Sequence, residues 1–225
     1  MAPGGQVNLT GNISDGGFDS PSAITKVGTG ILNLTGSNTL FGGVSVTEGT
    51  LLVNNASGTG TGFGPVYLYG GTTLGGSGRI GGPVQIYDGA FFKPGNSPGA
   101  MRVDQDLTLA GTATMTFEIG GLIATNEFDF VSVGGIANFG GTLELSLVNG
   151  YLPTTNATWN LMEFASKTGT YANATNNARV ATTDHLGSFR VSYGTTNLTL
   201  NAFNYTDTGT DGIYDAWALK YFGVT

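Results

Sequence analysis

There is no cysteine anywhere in this 225-residue chain. A disulfide framework, a thiolate metal site and a cysteine nucleophile are therefore all excluded. Charge is nearly as scarce: 10% of residues are Asp, Glu, Lys or Arg, against about 25% in ordinary soluble domains. Only 8 are Lys or Arg, they are scattered, and the formal net charge is −7. Such a chain has no electrostatic footprint for nucleic acid, and none for an anionic membrane surface. No apolar run reaches the length of about 18 residues that a membrane-spanning helix requires, so no membrane span is expected. The opening MAPGGQVNLTG has neither the basic nor the apolar region of a secretory signal. If the protein is exported, the signal is expected to be removed or to lie outside this sequence.

What the chain does have is glycine, at 39 residues, together with 40% hydrophobic and 11% aromatic residues. Low charge and high glycine would suggest disorder, but disorder also requires few apolar residues. The reading is an ordered, turn-rich β protein. Apolar residues recur two apart from end to end, as in ILNL (31–34), VSV (44–46), VYLY (66–69), VQIY (84–87), LTL (107–109), TMTFEI (114–119) and TLELSL (142–147). That is the period of a strand with one buried face. Most runs close on Gly, Asn, Asp or Thr, which supply turns. The runs also echo one another: VSVTEGTLLV (44–53) reappears, with an insertion, in 131–147. Loose repetition of short strands points to a solenoid of stacked coils, with a β-sandwich as the competing architecture. At roughly 20 residues per coil, about nine coils at ~4.8 Å would span about 40 Å.

The segment AITKVGTGILNLTGSNTLFGGVSVTEGTLLVNN (23–55) carries Lys26, Gly28, Gly30, Leu32, Leu34, Gly36, Asn38, Thr39, Gly42, Gly43, Gly49, Thr50 and Leu51 in one register. It resembles the passenger-associated repeat of bacterial autotransporters, with Phe41 as the departure. Residues 74–121, and Pro94–Gly99 most clearly, are similar to the β-helical region that commonly follows such repeats. The resemblance covers about residues 23–200. It implies an all-β, right-handed parallel β-helix, exposed on or released from a bacterial cell, and no particular chemistry. The expected organisation is a β-helix over 1–202 followed by a capping or docking segment over 203–225.

That tail contains DTGTDGIYDAW (207–217), with Asp207, Asp211 and Asp215 four apart and Gly212 after the second. It resembles a calcium repeat in which Gly209 and Ala218 stand where further acids belong. Calcium takes six to eight oxygens; here Asp207, Asp211, Asp215 and the Ile213 carbonyl are the candidate ligands. The competing reading is an aspartate-capped turn into a short amphipathic helix presenting Ile213, Trp217, Tyr221 and Phe222. Open solenoid ends expose strand edges that must be covered. The tail is expected either to cap its own last coil or to dock on a neighbour end to end, which would build a filament.

No cofactor is expected beyond that candidate calcium. GSGRIG (76–81) fits Gly-x-Gly-x-x-Gly but lacks the following helix a dinucleotide needs. His185, the sole histidine, sits beside Asp184 with no marked nucleophile. Asp104/Asp106 and Glu127/Asp129 are spaced to share a strand face, as a polysaccharide lyase or hydrolase would require; solvated strands explain them equally. Tyr67 and Tyr69 alternate with Val66 and Leu68, and Tyr87 falls about one coil later. These three tyrosines form a candidate ligand face for glycan rings or a partner chain. The expectation is a non-catalytic extracellular structural protein forming part of a surface layer, stalk or filament, with a glycan-binding adhesin as the main alternative.

Overall fold

The computed structural model describes residues 4–15, 21–209, 213–215, 218 and 221. The delineated elements among them are all strands: β1 (Gln6–Leu9), β2 (Ala23–Lys26), β3 (Ile31–Leu34), β4 (Gly43–Val46), β5 (Thr50–Val53), β6 (Val66–Leu68) and β7 (Thr73–Gly76). Then come β8 (Arg79–Ile80), β9 (Val84–Ile86), β10 (Phe91–Pro94), β11 (Ala100–Val103), β12 (Leu107–Leu109) and β13 (Thr114–Ile119). The last are β14 (Phe130–Phe139), β15 (Thr142–Leu147), β16 (Thr158–Gly169), β17 (Arg179–Ala181), β18 (Gly187–Tyr193) and β19 (Asn197–Tyr205).

The chain alternates between two sheets. One sheet runs β1-β3-β5-β7-β10-β13-β15, with every pair parallel. The other runs β2-β4-β6-β9-β12-β14-β16 in parallel, then continues through β19, β18 and β17. A short third row, β8 and β11, joins the first half of β14. The fold is all-β and its body is parallel.

The two-residue period produces this arrangement. In β3 and β5 alternate side chains are buried, and β13 repeats the pattern over its whole length. The register then stacks like on like: Val7, Leu32, Leu51, Leu74, Phe92, Met115 and Leu143 are successive partners through the first sheet. Facing them in the second sheet are Ile24, Val44, Val66, Val84, Leu107 and Ala137. A slip of one residue would turn each strand's apolar set outward, so register is strongly specified. Each fully buried Val, Leu or Phe contributes about 1.5–3 kcal/mol.

Polar ladders accompany the apolar columns. Asn33 donates to Asn8 (3.0 Å), Asn54 to Asn33 (2.9 Å) and Asn96 to Asn54 (3.0 Å). Asn138 likewise bridges Thr108 and Thr168 (3.1 and 2.7 Å). Lys26 is buried because its Nζ reaches the carbonyls of Val27 (3.2 Å), Gly28 (2.5 Å) and Glu48 (3.0 Å), clamping two turns of adjacent coils. Burial lowers its pKa, partly offset by the Glu48 charge.

The C-terminal end differs from the sequence expectation. Parallel stacking stops at β16 rather than continuing to residue 202, and β19 crosses the expected 202/203 boundary. The β16–β19, β19–β18 and β18–β17 pairs are antiparallel. A two-residue period cannot distinguish the two senses of pairing, so this reversal was not legible. The reversed strands bring chain back over β15, the last strand of the first sheet. The Asn173 side chain accepts from the Leu143 amide (2.9 Å) and donates to its carbonyl (2.8 Å), and the Thr183 amide donates to the Leu145 carbonyl (2.9 Å). An amide side chain thus imitates the missing neighbour strand. Inside, the aliphatic columns give way to aromatic packing: Trp159 on Phe189 (5.1 Å), Phe189 on Phe203 (4.6 Å) and Phe203 on Tyr205 (4.9 Å). Of the helical cap expected in the tail, Asp215, Ala218 and Tyr221 are in helical conformation and the Ala218 amide donates to the Tyr214 carbonyl (3.1 Å), but among the described residues no delineated helix covers the end of the stack.

Candidate functional site

Val66 and Leu68 are fully buried, so Tyr67 between them points outward and Tyr69 follows as the strand ends. Leu68 pairs with Ile86, which places Tyr87 one coil away from Tyr69. The Tyr69 and Tyr87 rings stack at 5.1 Å and 22°, and Tyr67 lies 6.2 Å and 20° from Tyr87. Tyr69 is 42% exposed and Tyr87 37%, so the outer part of the stack meets solvent. The three tyrosines form a stack whose faces turn toward one another and whose outer edges meet solvent. Such an aromatic edge can meet a sugar or an apolar partner group.

A second feature is a cleft of about 390 Å³ lined by Lys93, Asn96, Ser97, Glu118, Asp129 and Glu144, among others. Asp129 is buried at its base; its carboxylate accepts from the Gly99 amide (2.9 Å) and the Glu118 amide (2.8 Å). It thereby ties the loop after β10 to the end of β13. Desolvation pushes its pKa up from 3.8 to about 7, against those two hydrogen bonds. The folded state therefore favours the protonated form. Asp129's contribution to stability is fully present below about pH 4 and is lost as pH rises through about 7. The melting temperature is expected to fall between pH 5 and pH 8, with a shallower slope in Asp129→Asn; equal slopes would rule this assignment out. The sequence could not show Asp129's role, because the burying loop comes from an earlier coil.

The carboxylates paired by sequence have other engagements. Asp104 accepts from the Nε atoms of Arg79 (2.8 Å) and Arg102 (2.7 Å), while Asp106 caps the Ile136 amide (2.7 Å). Glu127 accepts from the Leu122 and Ile123 amides (2.9 and 3.0 Å). His185 sits in a turn with φ 62°, its amide donating to the Thr182 carbonyl (3.0 Å). GSGRIG (76–81) runs from the last residue of β7 through a two-residue turn and along β8, so strand follows the turn where a dinucleotide site would need a helix.

In the tail, Asp211, Trp217 and Phe222 lie outside the described residues. Asp215 accepts from the amide and hydroxyl of Thr208 (both 3.1 Å), and its own amide donates to the Thr206 carbonyl (2.9 Å). This is the work of a turn-capping aspartate. Among the described residues no cluster of three or more His, Cys, Asp or Glu side chains is placed to hold a metal. Ile213 and Tyr221 are exposed, and the Tyr214 ring rests 5.4 Å from Tyr205, so this part of the tail returns to its own chain. No described helix is long and apolar enough to cross a membrane.

No protein-family model matches the chain. The chain is similar to the adhesin BmaC autotransporter of Brucella suis biovar 1 (strain 1330), with 32% identity over 204 residues. The alignment takes in 81% of this chain and 6% of that protein, so the chain spans a small fraction of this relative's length. The similarity supports an autotransporter-like relationship.

Proposed function

We propose that this chain is a non-catalytic stretch of a bacterial surface protein, a right-handed parallel β-helical stalk with an adhesin-like role outside the cell. The observation that carries this reading is the coil-by-coil parallel pairing with like residues in register. The similarity to an autotransporter adhesin supports the surface location and the adhesive role. The reversed strands and Asn173 cover the C-terminal end of the stack, which favours a stalk over a head-to-tail filament. Calcium plays no part in this reading.

The adhesive contact is assigned to Tyr67, Tyr69 and Tyr87. Removing two ring contacts costs about 1.5–3 kcal/mol of binding, or at least tenfold in affinity. On an array of neutral and acidic glycans, the wild-type protein is expected to bind at least one neutral glycan saturably. Tyr69→Ala/Tyr87→Ala should bind it at least tenfold more weakly while melting at a similar temperature. Equal binding by the variant would remove the tyrosines from the contact. Failure of the wild type to bind any neutral glycan would remove glycan binding from the tyrosine stack.

A further inference from the structure

The larger of the two main clefts, about 480 Å³, lies over the short third row of strands and not at the tyrosine stack. Its lining includes Arg79 and Arg102, two of the 8 basic residues in the chain. Register places them as direct partners in β8 and β11, so the two guanidinium groups are carried one coil apart, at a strand spacing of about 4.8 Å. Two like charges at this spacing repel, and Asp104 resolves the conflict. Arg79 Nε donates to both of its carboxylate oxygens (2.9 and 2.8 Å), and Arg102 Nε donates to one (2.7 Å).

This geometry engages the inner edge of each guanidinium and no more. Each carries five N–H donors, and among the described residues no hydrogen bond takes up the Nη atoms of either one. The side chains remain 46% and 59% exposed. One carboxylate against two guanidiniums leaves one net positive charge, held in a fixed position, in a protein whose overall charge is −7. Two oriented forks with free outer donors match the oxygens of a carboxylate or sulfate. Around them the cleft offers Ser57, Ser77, Thr125 and Ser132, whose hydroxyls can pair with sugar hydroxyls, while Asn55 is spent on the Ser57 and Gly58 carbonyls and the Arg79 amide. The positive stretch is short: the next partners along this row are Ser132 and then Glu163. An anionic group is therefore accommodated over two coils and repelled at the fourth position.

We propose that this cleft is a binding subsite for an acidic glycan, with Arg79 and Arg102 gripping one carboxylate or sulfate and the surrounding hydroxyls meeting the sugar ring. Asp104 acts as the positioning residue that holds the two forks side by side. The subsite does not depend on the tyrosine stack.

The test is calorimetric titration of the full chain with three hexasaccharides: a uronate oligomer, a sulfated glucan without carboxylates, and neutral maltohexaose. At least one acidic oligomer is expected to bind at least tenfold more tightly than maltohexaose, and which one does so identifies the anionic group. Arg102→Ala should lose at least tenfold in that affinity. Arg79→Lys/Arg102→Lys should lose at least fivefold although its charge is unchanged, because a lysine lacks the fork. Both variants should melt near the wild type, since the side chains are half exposed. Tyr69→Ala/Tyr87→Ala should bind the acidic oligomer as the wild type does. The proposal is overturned if no acidic oligomer binds better than maltohexaose. It is equally overturned if Arg102→Ala binds like the wild type, or if the tyrosine variant alone abolishes binding.

Discussion

Trp159→Ala is expected to destabilise the protein by about 3–5 kcal/mol, the range for emptying a large buried aromatic site. Trp159 is fully buried on β16, the strand at which parallel stacking gives way to antiparallel pairing. Its ring meets Phe189 at 5.1 Å and Tyr151 at 6.5 Å, both edge-on. Its Nε1–H donates to the Gly121 carbonyl (2.7 Å), tying this strand to a loop on the preceding coil. Alanine removes all three contacts. Trp159→Phe keeps most of the volume and orphans the carbonyl, which costs about 1–3 kcal/mol. Urea denaturation of the two variants separates the contributions. A loss below about 1 kcal/mol for alanine would show that the reversed strands are held without this residue.

The second large effect is expected at Gly43, within the Gly42-Gly43 pair of the repeat-like segment. Gly43 has φ +82°, and a Cβ there would run into the backbone carbonyl of Pro65 on the next coil. That carbonyl accepts the Val44 amide (2.9 Å), a rung between coils. Gly43→Ala therefore combines the left-handed penalty of about 1–2 kcal/mol with displacement of the rung, for a total of about 3 kcal/mol or more. Gly71→Ala is the control. It has a similar φ of +79° but open space where the Cβ would stand, so only the first cost applies. Unfolding free energies of the two variants from urea denaturation should differ by about 1 kcal/mol or more; equal values would mean the coils yield to the added methyl.

These two positions also show what could be read from the sequence. Gly43 belongs to a local motif, and strands such as 31–34 and 114–119 announce themselves through alternation that survives in any register. The tyrosines were legible for the same reason: Val66 and Leu68 fix the inward face, and Tyr87 falls one coil later. Trp159 and Phe189 could be recognised as apolar, but nothing local showed that their strands pair antiparallel. Asn173 is an ordinary loop asparagine in sequence and becomes an edge clip only because residues 143 and 173 meet. Arg79 and Arg102 are unremarkable singly; their partnership is a matter of register. The acidic pair Asp104/Asp106 shows the converse case. Its spacing was visible, but the arginines that occupy Asp104 and the amide capped by Asp106 were not.

The parallel pairing of successive strands also carries a consequence for how the proposed stalk would respond to force. Hydrogen bonds between strands run from coil to coil, along the direction in which coils are added. Tension in that direction loads those bonds end-on and opens them a row at a time, beginning at a terminal coil. One coil takes the chain from Val66 to Val84. Once freed, each of its residues can extend by about 3.3–3.6 Å, against a folded rise of about 4.8 Å for the whole coil. A single lost coil therefore gives far more slack than the folded coil occupied. The β-helical stalk proposed above is therefore expected to act as a stiff spacer at low load and as a reel of chain at high load, releasing length in coil-sized steps.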